Sequence, residues 1–97
     1  MELAGTRILI TGGTGLIGGR LAQRLQTEER AQVVALARHP EKGRRLVELG
    51  VEVVRGDITH LASLQNAITG CDLVFHTAAW VSEQGSQAQI YAVKLNG

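Results

Sequence analysis

Residues 11–18 read Thr11-Gly12-Gly13-Thr14-Gly15-Leu16-Ile17-Gly18, and they stand between the apolar run Ile8-Leu9-Ile10 and a segment with helical periodicity. That context gives the glycines their meaning. In a strand-to-helix turn built for a dinucleotide, the first glycine turns the chain off the strand and the second lets the backbone approach a pyrophosphate. The third lets the helix pack close on the sheet. Gly12, Gly15 and Gly18 fill these three places. The amides opening the helix then face the phosphates with the positive end of the helix dipole behind them. Thr11, Gly12, Thr14, Gly15, Leu16, Ile17 and Gly18 are therefore the candidate cradle. The alternative is a glycine-rich turn that binds nothing, and the strand and helix beside it weigh against that.

Working outward, Ile17, Leu21 and Leu25 recur at i, i+4, i+8 and form one apolar stripe, while Arg20, Gln23 and Arg24 face water. Val33-Val34-Ala35-Leu36-Ala37 reads as a strand buried on both faces. The residue ending this strand, about 20 positions past the glycine loop, selects the cofactor: a carboxylate holds the ribose 2′-hydroxyl of NAD, an Arg accommodates the 2′-phosphate of NADP. Here Ala37 takes the carboxylate's place and Arg38 follows, so the expected ligand is NADP rather than NAD. His39, Lys42, Arg44 and Arg45 continue the basic run. For Lys42, Arg44 and Arg45 the alternative is a solvated face on a helix that Pro40 opens.

Val51 to Arg55 reads as a third strand, entered from Gly50 and left through Gly56-Asp57. Thr59 is placed to cap a helix with Leu61, Leu64 and Ile68 on one face and Gly70 past its end. A fourth strand follows in Leu73-Val74-Phe75-His76, and then a helix from Ser86 to Gly97. Strands alternating with helices at this spacing imply an α/β partial Rossmann fold, one half-domain over 1–97, with parallel sheet order 3-2-1-4. On this reading the chain ends before a fifth strand. The edge at Leu73–His76 and the apolar face of the last helix, Ile90 and Val93, are left open, which implies a homo-oligomer.

Ten Lys/Arg against nine Asp/Glu give a net charge of +1, no general pull toward nucleic acid or a membrane surface. The charge is uneven, with eight basic and five acidic residues in 1–48 and two against four afterwards, so the excess gathers in the half that meets phosphates. Three aromatic residues give no stacking platform for single strands. Cys71, the only cysteine, excludes an internal disulfide and reads as a small buried residue. The N-terminus has no long apolar stretch, so neither a signal peptide nor a spanning helix is expected, and the cytoplasm is the expected location.

Three stretches in order, 11–18, Arg55-Gly56-Asp57-Ile58 and Val74-Phe75-His76-Thr77-Ala78-Ala79, resemble the N-terminal part of the extended short-chain dehydrogenases/reductases. The resemblance runs from Arg7 to Gly97 and is strongest to the dihydroflavonol-reductase-like and NAD-dependent epimerase/dehydratase branch. It implies that Asp57 and Ile58 lie along the adenine, and that Ala78 and Ala79 lie beside the ribose and nicotinamide. Asp57 as a turn residue and Ala78 and Ala79 as packing residues are the plainer alternatives. His76 reads as a core or strand-end histidine, and Trp80 as a pocket-lining or edge-packed indole. The family's Tyr, Lys and Ser of hydride transfer belong to a later part of such chains. Tyr91 and Lys94 are three apart where the family needs four, and Lys94 stands where an Asn is usual. The resemblance thus implies the NADP(H)-binding portion of an oxidoreductase, without catalytic competence of its own. A non-catalytic dinucleotide sensor and a purely structural Rossmann unit are the other readings.

Overall fold

Ile8, Leu9 and Ile10 are consecutive and have no exposed surface. Successive strand side chains point to opposite faces. Ile8 and Ile10 accordingly pack with Ala22, Leu25, Val33, Ala35 and Leu46, whereas Leu9 packs on the other side with Val34, Leu36 and Cys71. A strand covered on both faces is what a parallel sheet flanked by helices requires. Full burial of each such side chain contributes about 1.5–3 kcal/mol.

The computed structural model describes residues 3–12 and 16–95. Strand β1 spans Arg7–Thr11, helix α1 Leu16–Thr27 and strand β2 Gln32–Ala37. A 3-10 turn over Pro40–Gly43 leads into the short helix α2, Arg44–Glu48. Then come β3 (Glu52–Arg55), α3 (Leu61–Ile68), β4 (Leu73–Ser82) and β5 (Gly85–Lys94). The sheet order is β3-β2-β1-β4-β5, parallel through β4. The expected 3-2-1-4 order is present and is extended by one antiparallel strand.

That strand corrects the helix expected from Ser86 to Gly97. Residues 85–94 pair with all of β4, from Ser82↔Gly85 to Leu73↔Lys94, through a two-residue turn at Glu83-Gln84 closed by Gly85 at φ +106°. Ile90, Tyr91 and Val93 favour strands, and the outer edge of β4 offered unpaired amides and carbonyls within reach of so short a turn. The edge expected to be open at Leu73–His76 is therefore covered by β5.

Smaller differences follow from the same geometry. Proline opens a 3-10 turn rather than a full helix, so α2 is only five residues. His60, not Thr59, is the residue before α3, and Thr59 instead closes a turn with Asp57. On α3, Leu64, Ala67 and Ile68 cover the sheet while Leu61 is exposed. Ile17 in the first turn of α1 is exposed too. Both helices run antiparallel to the strands they cover, so their first turns stand at the rim where the strands end. Cys71 is buried, and its thiol donates to the Ala67 carbonyl at 3.3 Å; burial pushes its pKa up, which keeps it a neutral packing group.

Candidate functional site

The crossover after β1 goes to β2 on one side, and the chain later returns through α3 to β4 on the other. The strand order reverses between β1 and β4, and in open α/β sheets the crevice for ligands lies at the carboxyl ends of such strands. A cleft of about 500 Å³ is found there, lined by Thr11 and Gly12 of the β1 end, Ala37 to His39 of the β2 end, Gly56 to Thr59 after β3, and His76 and Thr77 on β4. Leu36 and Lys42 complete it.

The two halves of the crevice are tied together beneath the glycine turn. Thr11 is buried, its hydroxyl is hydrogen-bonded to Nδ1 of His76, and its carbonyl accepts from the Thr77 hydroxyl at 2.9 Å. Gly12 then leaves the strand at φ +72°, where L side chains are disfavoured. A Cβ on Gly12 would lie 2.5 Å from Thr77 Oγ1. The turn therefore keeps bare backbone at the floor of the cleft, as a cradle for phosphates needs. The ring of His76 also lies beside that of Tyr91, centroids 6.2 Å apart.

The loop after β3 is equally constrained. Gly56 donates to the Ala37 carbonyl at 3.0 Å, and a Cβ there would overlap Leu36 Cδ1 and come within 3.3 Å of Ser63. Asp57 Oδ1 accepts from the Thr59 amide at 2.9 Å and the Thr59 hydroxyl at 2.8 Å, an Asx turn. The Asp57 amide donates to Ser63 Oγ at 3.1 Å. Those Thr59 bonds, backbone first, hold the Asp57 carboxyl below the usual carboxylate range; desolvation opposes them, and the charges of Arg38 and His60 add to them. Asp57 is a fixed anion at the cleft wall. Arg38 is exposed at the end of β2 and, among the described residues, forms no ion pair within 4.0 Å.

Of the residues expected from the sequence, the structure brings Thr11, Gly12, Arg38, Asp57 and Ile58 around one cleft. Gly18 is buried on α1, Leu16 opens that helix, and Ile17 stands at its rim. Thr14 and Gly15 lie outside the described residues. Ala78 and Ala79 continue β4 past His76, the last residue paired with β1, and face Gln89 and Ala88 of β5 in register. Trp80 lies on the same extension, and its side chain lies outside the described residues. Lys42 lines the cleft, whereas Arg44 and Arg45 are exposed on α2 and do not. Thr77 and Thr59 were missed. A hydroxyl two places past a strand-end Asp was the available signal for Thr59, and Thr77 had none short of the fold. Tyr91 is half exposed on β5 and donates to Gln89 Oε1 at 2.9 Å. Lys94 is three positions on, which on a strand is the opposite face.

A family model described as NAD(P)H-binding matches residues 12–97. The chain belongs to the NAD(P)H-binding family. A 4-hydroxy-2-methyl-3-oxo-4-farnesyl-3,4-dihydroquinoline-1-oxide ketoreductase of Stigmatella aurantiaca is 31% identical over 91 residues, 94% of this chain and 27% of that protein. The structure of Citrobacter sp. triphenylmethane reductase complexed with NADP(H) superposes with a TM-score of 0.59 at 41% identity, covering 65% of this chain and 22% of the other. That of Helicobacter pylori ADP-L-glycero-D-manno-heptose-6-epimerase gives 0.66 at 32% identity, covering 86% and 29%. Reductases and epimerases of the extended short-chain dehydrogenase/reductase type are thus what this NAD(P)H-binding chain is similar to, as its three motifs imply. The chain spans about a quarter of the length of the ketoreductase it matches.

Proposed function

We propose that this chain is the NADP(H)-binding portion of an oxidoreductase of the extended short-chain type. The observation that carries the choice of NADP over NAD is the end of β2, where buried Ala37 supplies no carboxylate and exposed Arg38, without an ion pair among the described residues, lines the cleft. A guanidinium fork matches the oxygens of a 2′-phosphate, and Lys42 on the same cleft adds positive charge. Thr11 and Gly12 give the floor for the pyrophosphate, with the amides opening α1 donating to it. Asp57 and Ile58 bound the adenine side. The extension of β4 through Ala78 and Ala79 carries the ribose and nicotinamide side.

These residues bind and orient. Hydride chemistry is supplied by the nicotinamide, and the chain's own contribution is to fix the dinucleotide at the crevice. Nothing in this role uses Tyr91. Calorimetric titration of NADPH and NADH into the chain and its Arg38→Ala variant tests the assignment. One charge-assisted contact is worth about 1.5–3 kcal/mol, so the variant should lose about ten- to a hundred-fold in NADPH affinity and almost nothing for NADH. Equal losses for both would remove Arg38 from the 2′-phosphate.

A further inference from the structure

Beside the main cleft lies a second cavity of about 380 Å³, bounded by Arg38, Arg55, Gly56, Asp57, His60 and Ser63. Arg38 belongs to both cavities. Arg55 is the last residue of β3 and stands in register with Ala37, so it leaves the sheet one strand spacing from the residue that Arg38 follows. Both arginines line this one cavity, so its wall carries two cationic residues. Among the described residues neither guanidinium has an ion-pair partner within 4.0 Å. The one carboxylate on the cavity wall, Asp57, has Oδ1 committed to Thr59. The cavity wall thus carries two arginines and one carboxylate, together with the exposed residue His60. Gly56 on the cavity wall admits no side chain, since a Cβ there would strike Leu36, and the Ser63 hydroxyl is hydrogen-bonded to the Asp57 backbone.

We propose that Arg55 is a second phosphate-holding residue, so that the terminal residues of β2 and β3 clamp one phosphoryl group between Arg38 and Arg55 and set the preference for a 2′-phosphorylated adenosine. A phosphate monoester has three acceptor oxygens, enough for two guanidinium forks at once. Its double negative charge can pair with both arginines, and an unphosphorylated ribose cannot. Discrimination then arises from the pair rather than from Arg38 alone.

This inference rests on the NADP(H) reading above, and the two are separable with small probes. Adenosine 2′,5′-bisphosphate and adenosine 5′-monophosphate are titrated calorimetrically into the 97-residue chain and into Arg55→Gln, Arg55→Lys and Arg38→Gln variants, with circular dichroism to verify folding. Arg55→Gln should weaken the bisphosphate by about tenfold or more, the range of a lost charge-assisted contact. The monophosphate should stay within about twofold, since it lacks the group these arginines hold. Arg55→Lys keeps the charge and should recover part of the loss. If Arg55→Gln binds the bisphosphate as the unaltered chain does while Arg38→Gln does not, the clamp is wrong and the reading of Arg38 stands. If the unaltered chain shows no preference for the bisphosphate, the NADP reading fails and the clamp fails with it.

Discussion

Gly12 was legible in the sequence as the turn glycine, but the reason it tolerates no replacement was not. The spacing gives the turn; the second constraint comes from Thr77, 65 positions away, whose hydroxyl fills the space a Cβ would take. Gly12→Ala should cost about 1–3 kcal/mol by urea unfolding, from the left-handed backbone and the collision together. In Gly12→Ala/Thr77→Ala the collision is gone and the backbone cost remains, so the double variant should lose less than the sum of the singles. Strict additivity would mean the two residues do not touch. Asp57 shows the same limit of sequence reading, since a Gly-Asp pair after a strand serves equally for a turn or a ligand. The structure shows the turn, and its hydrogen bonds from Thr59 lower the carboxyl pKa. The sign follows directly. The ionised form is complete above the unfolded value, and its contribution to the turn is lost only as pH falls through the lower folded value. An NMR titration of the Asp57 carboxyl carbon should therefore give a midpoint below that of the same residue in an unstructured peptide, and Thr59→Ala should raise it.

At the scale of elements, β1, α1, β2 and α3 were readable because each carries one dominant pattern: apolar runs for strands buried on two faces, and four-residue spacing for helices covering one. Residues 85–94 carry two. Ile90 and Val93 suit a helical stripe, yet Ile90, Tyr91 and Val93 suit a strand as well, and the choice is made by the open edge of β4, which a local pattern does not contain. Gly85 provides a test of that hairpin. It sits at φ +106° with open space around it, so a side chain is excluded by backbone conformation and not by crowding. A β-branched residue at positive φ is strongly disfavoured. Gly85→Val should loosen β4–β5 while leaving the parallel sheet intact. In hydrogen exchange, amides of Gln89 to Val93 should lose protection while those of Ile8 to Ile10 keep it. Uniform loss across both sets would show that the hairpin and the parallel sheet unfold as one unit.

For the whole molecule, the same sheet carries the stability and the site. The core is divided into two clusters by the sheet, and Leu9 is the fully buried residue of β1 on the α3 side. Leu9→Ala should cost about 2–5 kcal/mol, a large part of the roughly 5–15 kcal/mol by which a domain is stable. Because Leu9 is two residues from Thr11, that loss loosens the strand whose end forms the floor of the cleft. Ligand binding acts in the opposite direction, since anything that binds only the folded state stabilises it by mass action. NADPH at a hundred times its dissociation constant adds about 2.7 kcal/mol. For a domain of this size about 1 kcal/mol moves the midpoint by roughly 4–8 °C, so the shift should be on the order of 10–20 °C. Differential scanning calorimetry of the chain with NADPH, and with NADH at the same concentration, reads this directly. NADPH should give the larger shift, Arg38→Ala should narrow its lead over NADH, and Leu9→Ala should lower every midpoint while keeping the gap between the two cofactors. Equal shifts with both cofactors in the unaltered chain would mean that the end of β2 does not select for phosphate, whatever its charge.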